Sequence, residues 1–283
     1  MKLSVFYDHI REAAEQNNRS LEDICTQVKS FEIDAVEMDA ACYKSDEAKI
    51  KALLDKASLQ VSCMYGFFDF AHESSEELKE EQISSFLAMA SRAGASRVLV
   101  IPGFLNEQES DPGSAAYQQA IQAMKTAVSR MCDLAKPHGI TVGMEDFDAA
   151  EAPFATTEQL LSFVRDIPEL SCTFDTGNFL YSGEDALESY AACKPYIGYV
   201  HCKDRTFKVH PGEEPKLTID GRAMYAIPVG SGCIPMKEIV TELLNSGYDD
   251  TFAIEHFGAL DQLAYMKQSA GWLQELYKEV TAV

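Results

Sequence analysis

The stretch of sequence that decides the fold is Ile140-Thr-Val-Gly-Met-Glu-Asp-Phe147, in which a short apolar run ends at an acidic residue. Three later stretches share this design: a β-branched or aromatic run followed by a residue type that binds metals. They are Leu170-Ser-Cys-Thr-Phe-Asp175, Tyr196-Ile-Gly-Tyr-Val-His201 and Thr251-Phe-Ala-Ile-Glu255. Runs of this kind are typical of strands in a parallel sheet that is buried on both faces.

Eight such runs alternate with helix-like segments along the chain. The predicted strands are Leu3–Tyr7, Ala35–Met38, Gln60–Tyr65, Arg97–Ile101, Thr141–Glu145, Cys172–Asp175, Tyr199–His201 and Phe252–Glu255. The clearest predicted helix, Ser114–Lys136, has apolar residues at alternating steps of three and four. This order predicts an α/β fold, a single (β/α)8 TIM barrel over residues 1–283. The alternative, a doubly wound open sheet, usually has a glycine-rich loop after its first strand, and none follows Leu3–Tyr7.

The spacing of the polar strand ends locates an insertion. Glu145, Asp175 and His201 follow one another at the length of about one strand–helix unit, whereas Glu255 comes after an interval about twice as long. The extra residues, at about 205–232, are rich in proline, glycine and charge. We expect them to form an irregular loop or hairpin over the active face, because long ordered loops of this kind are often functional.

Composition argues against several classes of protein. The formal net charge is −21, from 24 Lys and Arg against 45 Asp and Glu. We therefore expect no nucleic-acid or membrane partner, because both bind mainly through Lys and Arg. The eight cysteines have no paired C-x-x-C spacing and most stand in apolar contexts, so reduced core residues are expected rather than disulfides or a structural zinc site. Without a signal-peptide pattern or an apolar run of about 18 residues, the protein is expected to be cytoplasmic.

The polar strand ends predict a metal site. In a barrel the carboxyl ends of all strands open onto one face, so Glu145, Asp175, His201 and Glu255 should meet there. Three carboxylates and one imidazole suit one divalent ion, Mn²⁺ or Mg²⁺ first and Co²⁺ or Zn²⁺ as alternatives. Cys202 should face away from them, because side chains alternate along a strand. Each residue alone could have an ordinary structural role, but burying all four without a common partner is costly.

These motifs resemble the sugar phosphate isomerase/epimerase superfamily with its xylose isomerase-like barrel. That superfamily includes ketose 3-epimerases, hydroxypyruvate isomerase, inosose dehydratase and apurinic-site endonucleases, and the resemblance covers nearly the whole chain. It implies that the four residues are metal ligands and that Glu145 and Glu255 are also the acid/base pair. Glu151 falls where the ketose epimerases carry a supporting glutamate.

The chain departs from the ketose epimerases at two positions. Asn178 stands where they have a substrate-binding histidine, and Phe207 stands where they have an arginine, the nearest here being Arg205. The run His201-Cys-Lys-Asp204 is more similar to the inosose dehydratase branch. These departures leave the substrate open.

The predicted function is a divalent-metal-dependent isomerase or epimerase of a small sugar, ketose or sugar phosphate. One glutamate would remove a proton next to a carbonyl, the metal ion would stabilise the enediolate, and the second glutamate would return a proton. An inosose-type dehydratase using the same site is the alternative. An apurinic-site endonuclease would need further histidines for a multi-zinc cluster and a basic face for DNA. Of the six histidines here only His201 matches a ligand position, and the net charge is −21. The non-enzymatic alternative is a barrel that binds a sugar or a partner without turnover.

Further polar residues near the strand ends are candidates for binding the sugar substrate: Glu37, Glu151, Asn178, Lys203, Asp204, Arg205 and His9. Glu37 is either a ligand of substrate hydroxyls or a surface acid. Lys203 and Asp204 either contact a substrate hydroxyl or pair with each other.

Apolar and glycine-rich features have two interpretations each. Four phenylalanines either wall the pocket or simply pack: Phe67, Phe104, Phe147 and Phe257. The run Gly230-Ser-Gly-Cys-Ile-Pro235 is either a tight turn or a phosphate loop before a helix. Trp272 and Leu273 either pack on the barrel or serve an interface of a possible homo-oligomer.

Overall fold

The computed structural model describes residues 1–282, which form ten strands and ten α-helices. The strands are β1 Lys2–Phe6, β2 Ala35–Asp39, β3 Gln60–Phe67, β4 Arg97–Ile101, β5 Thr141–Met144, β6 Ser171–Asp175, β7 Ile197–Thr206, β8 Lys216–Leu217, β9 Ala223–Ile227 and β10 Thr251–Glu255. The helices are α1 Tyr7–Gln16, α2 Leu21–Ser30, α3 Ala40–Ser45, α4 Glu47–Ala57, α5 Glu76–Ala93, α6 Ala115–Ala135, α7 Thr157–Asp166, α8 Ala186–Cys193, α9 Met236–Asn245 and α10 Gln262–Thr281.

Eight of these strands close into a parallel barrel. Strands β1 to β7 pair in sequence order, and β10 pairs with both β7 and β1. Phe252 of β10 thus lies in register with Val200 on one side and with Leu3 on the other. The predicted TIM barrel is confirmed, and each predicted strand is present with its ends shifted by a few residues at most, apart from β7.

Local signals in the sequence set the helices. Helix α6 begins after Ser114, whose hydroxyl accepts a hydrogen bond from the Tyr117 N–H, as a helix cap should. The chain leaves the helix through a short 3-10 turn that ends at Gly139, where φ is +66°. Met124, Val128 and other apolar residues on one face of α6 are buried.

Among the helices of residues 1–282, none combines the length and apolar character that a membrane crossing requires.

Strand β7 is longer than predicted. The sequence indicated Tyr199–His201, whereas the strand runs over ten residues, because its outer end pairs with a second strand beyond the barrel. There Asp204 and Thr206 pair antiparallel with Ile227 and Tyr225 of β9, and β9 pairs in turn with β8. The expected insertion is therefore built around a β8–β9 hairpin.

Besides its pairing with β7, the hairpin region is held to the barrel by hydrogen bonds on two sides. The Tyr265 hydroxyl of α10 donates to the Glu213 carboxylate over 3.0 Å. On the other side, the Ile219 N–H donates to the Tyr181 carbonyl over 2.9 Å. The hairpin is thus held over the open end of the barrel.

The glycine-rich run after the hairpin is a tight turn. The backbone N–H groups of Gly230, Gly232 and Ile234 donate to the Asp204 carboxylate over 2.8–3.2 Å. An internal carboxylate therefore occupies the donors that a phosphate would need. Trp272 packs on Gly230 and Leu273 is buried in the core, so both residues contribute to packing within this chain.

A glycine substitution tests this packing. Gly230 has a φ of +82°, and a Cβ at this position would run into the Trp272 indole ring. We expect Gly230→Ala to lower the free energy of unfolding by about 2–4 kcal/mol through backbone strain and overpacking. Urea unfolding would measure the change.

The matched control is Gly271→Ala in α10. Among residues 1–282, no atom outside the neighbouring residues and backbone of α10 lies within 4 Å of a Cβ at this position. Since alanine favours a helix over glycine, this variant should gain about 1 kcal/mol. Equal unfolding midpoints for wild type and Gly230→Ala would contradict the packing described for the turn.

Candidate metal centre and active site

Alternation along β7 sorts its residues into two sets. His201, Lys203 and Arg205 face the inside of the barrel, where His201 reaches the other polar strand ends and the other two line a cavity. Cys202 and Asp204 point outward between the strands and the surrounding elements, as expected for side chains that alternate along a strand. A single strand therefore supplies three neighbouring polar groups to one site.

The four predicted ligands converge at the carboxyl end of the barrel. Each offers one atom, and these atoms lie within 4.8 Å of one another. Glu145 directly follows β5, whereas Asp175 and Glu255 are the last residues of β6 and β10. His201 lies in the middle of β7 and not at its end, because that strand continues into the hairpin. Its Nδ1 is 2.8 Å from Glu145 Oε2 and 3.4 Å from Glu255 Oε2.

The donor atoms fit a divalent cation. Each of the four residues has at least one buried atom that makes no hydrogen bond within residues 1–282: Glu145 Oε2, Asp175 Oδ2, His201 Nδ1 and Glu255 Oε2. Buried polar atoms without partners are costly, so a shared ligand is the favourable arrangement. Three carboxylates with one imidazole are donors that Mn²⁺ and Mg²⁺ accept readily.

Glu37 lies beneath this centre. It is fully buried within β2, and its Oε1 is 3.3 Å from Nε2 of His201. A carboxylate in this position fixes the orientation of a metal-binding imidazole. Glu37 was expected to bind substrate hydroxyls or to be a surface acid, and its buried position fits neither role. Its carboxylate contacts His201, and the residue of β2 that lines the cavity is Asp39.

Lys203 adds a cation to the centre. Its Nζ is 2.5 Å from Glu255 Oε1, 3.1 Å from Asp175 Oδ2 and 2.6 Å from Asn178 Oδ1. Asn178 in turn donates from Nδ2 to the Asp146 carbonyl over 2.9 Å. Lys203 and Asn178 therefore lie where a substrate bound at the centre would meet them.

The two glutamates have different electrostatic surroundings. Burial raises the pKa of Glu145, with His201 opposing the shift. Burial acts on Glu255 as well, but the neighbouring Lys203 and His201 outweigh it and hold the pKa of that carboxyl below its usual value. Burial also raises the pKa of Asp175 to about 7, although Lys203 opposes this. In the metal-free protein, Glu145 consequently has the higher proton affinity of the pair.

A cavity of about 530 Å³ opens above the centre. Its wall includes three of the four phenylalanines considered from the sequence, Phe67, Phe147 and Phe257. Phe104 instead packs behind Phe147, with ring centroids 5.3 Å apart. The hairpin contributes Glu214, Pro215 and Lys216 to the wall.

Three remaining candidates lie away from the cavity. His9 is fully buried, accepts a hydrogen bond from the His256 N–H over 3.0 Å and stacks on the His256 ring. The Glu151 side chain is exposed, and its carbonyl accepts from the Leu105 N–H. Asp204 binds the glycine-rich turn and not Lys203. All three have structural roles in the contacts that they make.

The sequence interpretation missed six polar residues of the cavity: Asp8, Asp39, Tyr65, Asp148, Glu214 and Lys216. Asp8 stands in the first turn of α1, where an acid commonly serves to stabilise the helix N-terminus. Lys216 belongs to the insertion, whose pairing gives no clear sequence signal. Asp148 was detectable in principle, because it closely follows a predicted strand end.

Comparison with known proteins identifies the family. Residues 25–276 match the family of xylose isomerase-like TIM barrels, and the chain belongs to that family. An inosose dehydratase of Lacticaseibacillus casei is 23% identical over 223 residues, which are 75% of this chain and 74% of that protein.

Solved structures share the fold at lower identity. An L-ribulose 3-epimerase matches with a TM-score of 0.73 and 15% identity over 100% of this chain and 96% of its own. A xylose isomerase-like TIM barrel protein from Mycobacterium smegmatis in complex with magnesium matches with a TM-score of 0.68 and 17% identity, over 92% of this chain and 88% of its own.

Metal binding should stabilise the fold. At a concentration of about 100 times Kd, Mn²⁺ or Mg²⁺ added to EDTA-treated protein should contribute about 2.7 kcal/mol, read as a higher melting temperature. Asp175→Asn and His201→Asn should abolish this gain, and Glu37→Gln should weaken metal affinity about 10–100-fold. Glu151→Gln, at the surface, is the control. Unchanged metal affinity in Asp175→Asn would argue against the centre.

The affinity for metal should depend on pH. Because burial raises the pKa of Asp175 to about 7, the metal-free centre holds protons that must leave when a cation binds. Neighbouring carboxylates also raise the pKa of His201, led by Glu37 and Glu145 and against the effect of burial, and its imidazole must be neutral to bind a metal. Affinity should therefore fall as the pH drops below about 7 and continue to rise above it. Calorimetric titration near pH 6 and near pH 8, in buffers of different ionisation enthalpy, measures both affinity and proton release; binding without proton release would be the opposite result.

Proposed function

We propose that this protein is a divalent-metal-dependent dehydratase of a small polyhydroxy ketone. It would remove the proton next to the carbonyl and then expel the hydroxyl group on the following carbon. The observation that carries the proposal is the ion pair between Lys203 Nζ and Glu255 Oε1, at 2.5 Å. This contact makes the two glutamates unequal, with Glu145 as the base and a cation beside Glu255.

Each residue has a defined part in this reaction. When bound, a divalent ion held by the four ligands would supply Lewis acidity for the carbonyl oxygen. Glu145 takes the proton from the neighbouring carbon. The Lys203 ammonium donates a hydrogen bond to the departing oxygen, while Asn178 holds the ammonium in place. The proton on Glu145 leaves with the hydroxyl, so one substrate gives one dehydrated ketone and one water.

The relatives support this choice over epimerisation. The inosose dehydratase of L. casei aligns with three quarters of the chain, and Asn178 and Phe207 replace the residues that ketose epimerases use for substrate. Elimination also requires only one general base, and Glu145 can serve as that base.

The second candidate is an isomerase or epimerase of a small sugar or sugar phosphate. It is favoured by the convergence of Glu145 and Glu255 on the same centre, since two carboxylates can exchange protons with both faces of a carbon. In that reaction Glu255 would have to exchange protons while Lys203 holds one of its oxygens.

Proton NMR in D₂O separates the two reactions. EDTA-stripped protein would be incubated with and without Mn²⁺ and a panel of inososes, ketoses, ketose phosphates and hydroxypyruvate. Metal-dependent loss of water, with an enone product, is the expected result. Deuterium exchange that yields only products with every hydroxyl retained would overturn the dehydratase and favour the isomerase.

Two variants test the roles of Glu145 and Lys203. We expect Glu145→Gln to lower both deuterium exchange and dehydration by about 10²–10⁴-fold, because the base is lost. Lys203→Met should lower dehydration more than exchange, because proton removal precedes loss of the hydroxyl. Both rates would be measured on metal-loaded protein, with Glu151→Gln as the control. Full turnover by Glu145→Gln would contradict the mechanism.

A further inference from the structure

One wall of the cavity carries a buried guanidinium with an unused donor. Arg205 follows Lys203 by two residues on β7, so both side chains face the cavity. The Arg205 side chain is only 6% exposed, and its Nε finds no hydrogen-bond partner within residues 1–282. A permanently charged, planar donor is costly to bury without an acceptor. Because Arg205 lines the cavity, a molecule bound there can supply the missing hydrogen-bond acceptor.

The nearest carboxylate satisfies this arginine only partly. Asp148 Oδ2 is 3.5 Å from Arg205 Nη2, and Asp148 Oδ1 is 3.4 Å from Lys216 Nζ. Both distances exceed the roughly 2.7–2.9 Å that is typical of hydrogen bonds between such ions. Two cations share one anion, so this wall has an excess of about one positive charge.

The opposite wall has the opposite sign. Asp8 and Asp39 line it, and the Tyr65 hydroxyl donates to Asp8 Oδ2 over 2.5 Å. Carboxylates in a cavity accept hydrogen bonds from neutral hydroxyls and repel a second anion. Glu214 and Lys216 are both exposed, so water and salt weaken both charges, whereas the Arg205 charge is buried. Away from the metal centre and Lys203, an anionic group on a bound molecule therefore has one favourable place, beside Arg205.

We propose that Arg205 and Lys216, set in position by Asp148, bind an oxyanion of the substrate, a carboxylate or a phosphate. The substrate is then an acidic polyhydroxy ketone, whose hydroxyl-bearing end faces Asp8 and Asp39. The assignment of the reacting ketone rests on the proposed function, whereas the oxyanion site stands on the charges of the cavity. The Gly230 turn does not serve this purpose, since Asp204 occupies its donors.

Three probes of equal carbon number test the site by binding alone: D-glucitol, D-gluconate and D-glucitol 6-phosphate. Calorimetry or ligand-observed NMR with Mg²⁺-loaded wild-type protein should give at least about tenfold tighter binding for one acidic probe than for glucitol. The acidic probe that binds better identifies the oxyanion as carboxylate or phosphate. Equal binding of all three probes, or preference for glucitol, would overturn the proposal.

Variants locate the binding. Arg205→Met and Lys216→Met should each lose that preference by about tenfold or more, whereas Asp148→Asn should increase it, because the competing carboxylate becomes neutral. Lys208→Met is the control, an exposed lysine after the same strand. Since Lys216 is partly exposed on the hairpin, its variant keeps the test valid if Arg205→Met fails to fold. Unchanged preference in Lys216→Met and Asp148→Asn would place the anion elsewhere, including at the metal ion.

The outcome is separable from that of the proposed function. If an acidic probe binds in a way that depends on Arg205 but no ketone is dehydrated, the oxyanion site is supported and the proposed dehydratase activity is refuted. Dehydration of a ketone together with equal binding of the three probes would remove the oxyanion site and leave the dehydratase.

Discussion

The site depends on the two-residue alternation along β7. This geometry places His201, Lys203 and Arg205 in one column, about 7 Å apart at each step, from the metal centre to the cavity wall. The intervening residues, Cys202 and Asp204, belong to the packing outside the barrel. A shift of one residue in the pairing of β7 would exchange the two sets. The neighbouring strands β6 and β10 fix that pairing on both sides.

Charge balance is the second constraint. The centre gathers buried carboxylates that would repel one another without compensation, and Lys203 together with His201 supplies positive charge beside them. A bound cation adds further compensation and displaces protons. Lys203 and His201 thus reduce the repulsion among the carboxylates before a metal ion binds. Because Lys203 contacts Glu255, these ion pairs also make the surroundings of the two glutamates different.

The barrel and the convergence of the four ligand residues were predictable, because each part rests on a local pattern. Buried parallel strands are apolar runs, and a polar residue that ends such a run lies at the edge of the core, where it needs a partner. The sequence predicted that Glu37 and His9 line the cavity, because both lie near strand ends. In the structure both side chains are buried next to the cavity wall, where Glu37 contacts His201 and His9 contacts His256. Lys216 was not predictable, since its approach to Asp148 and Arg205 depends on how the hairpin folds back over the barrel.

The hairpin is joined to the barrel through the outer end of β7 and a few side-chain contacts, such as Tyr265 with Glu213. It supplies part of the cavity wall and none of the four ligand residues. Insertions at this point can therefore vary in length and composition while the chemistry beneath them is preserved. The part of the site that contacts the outer end of a substrate is thus physically separate from the part that binds the metal ion.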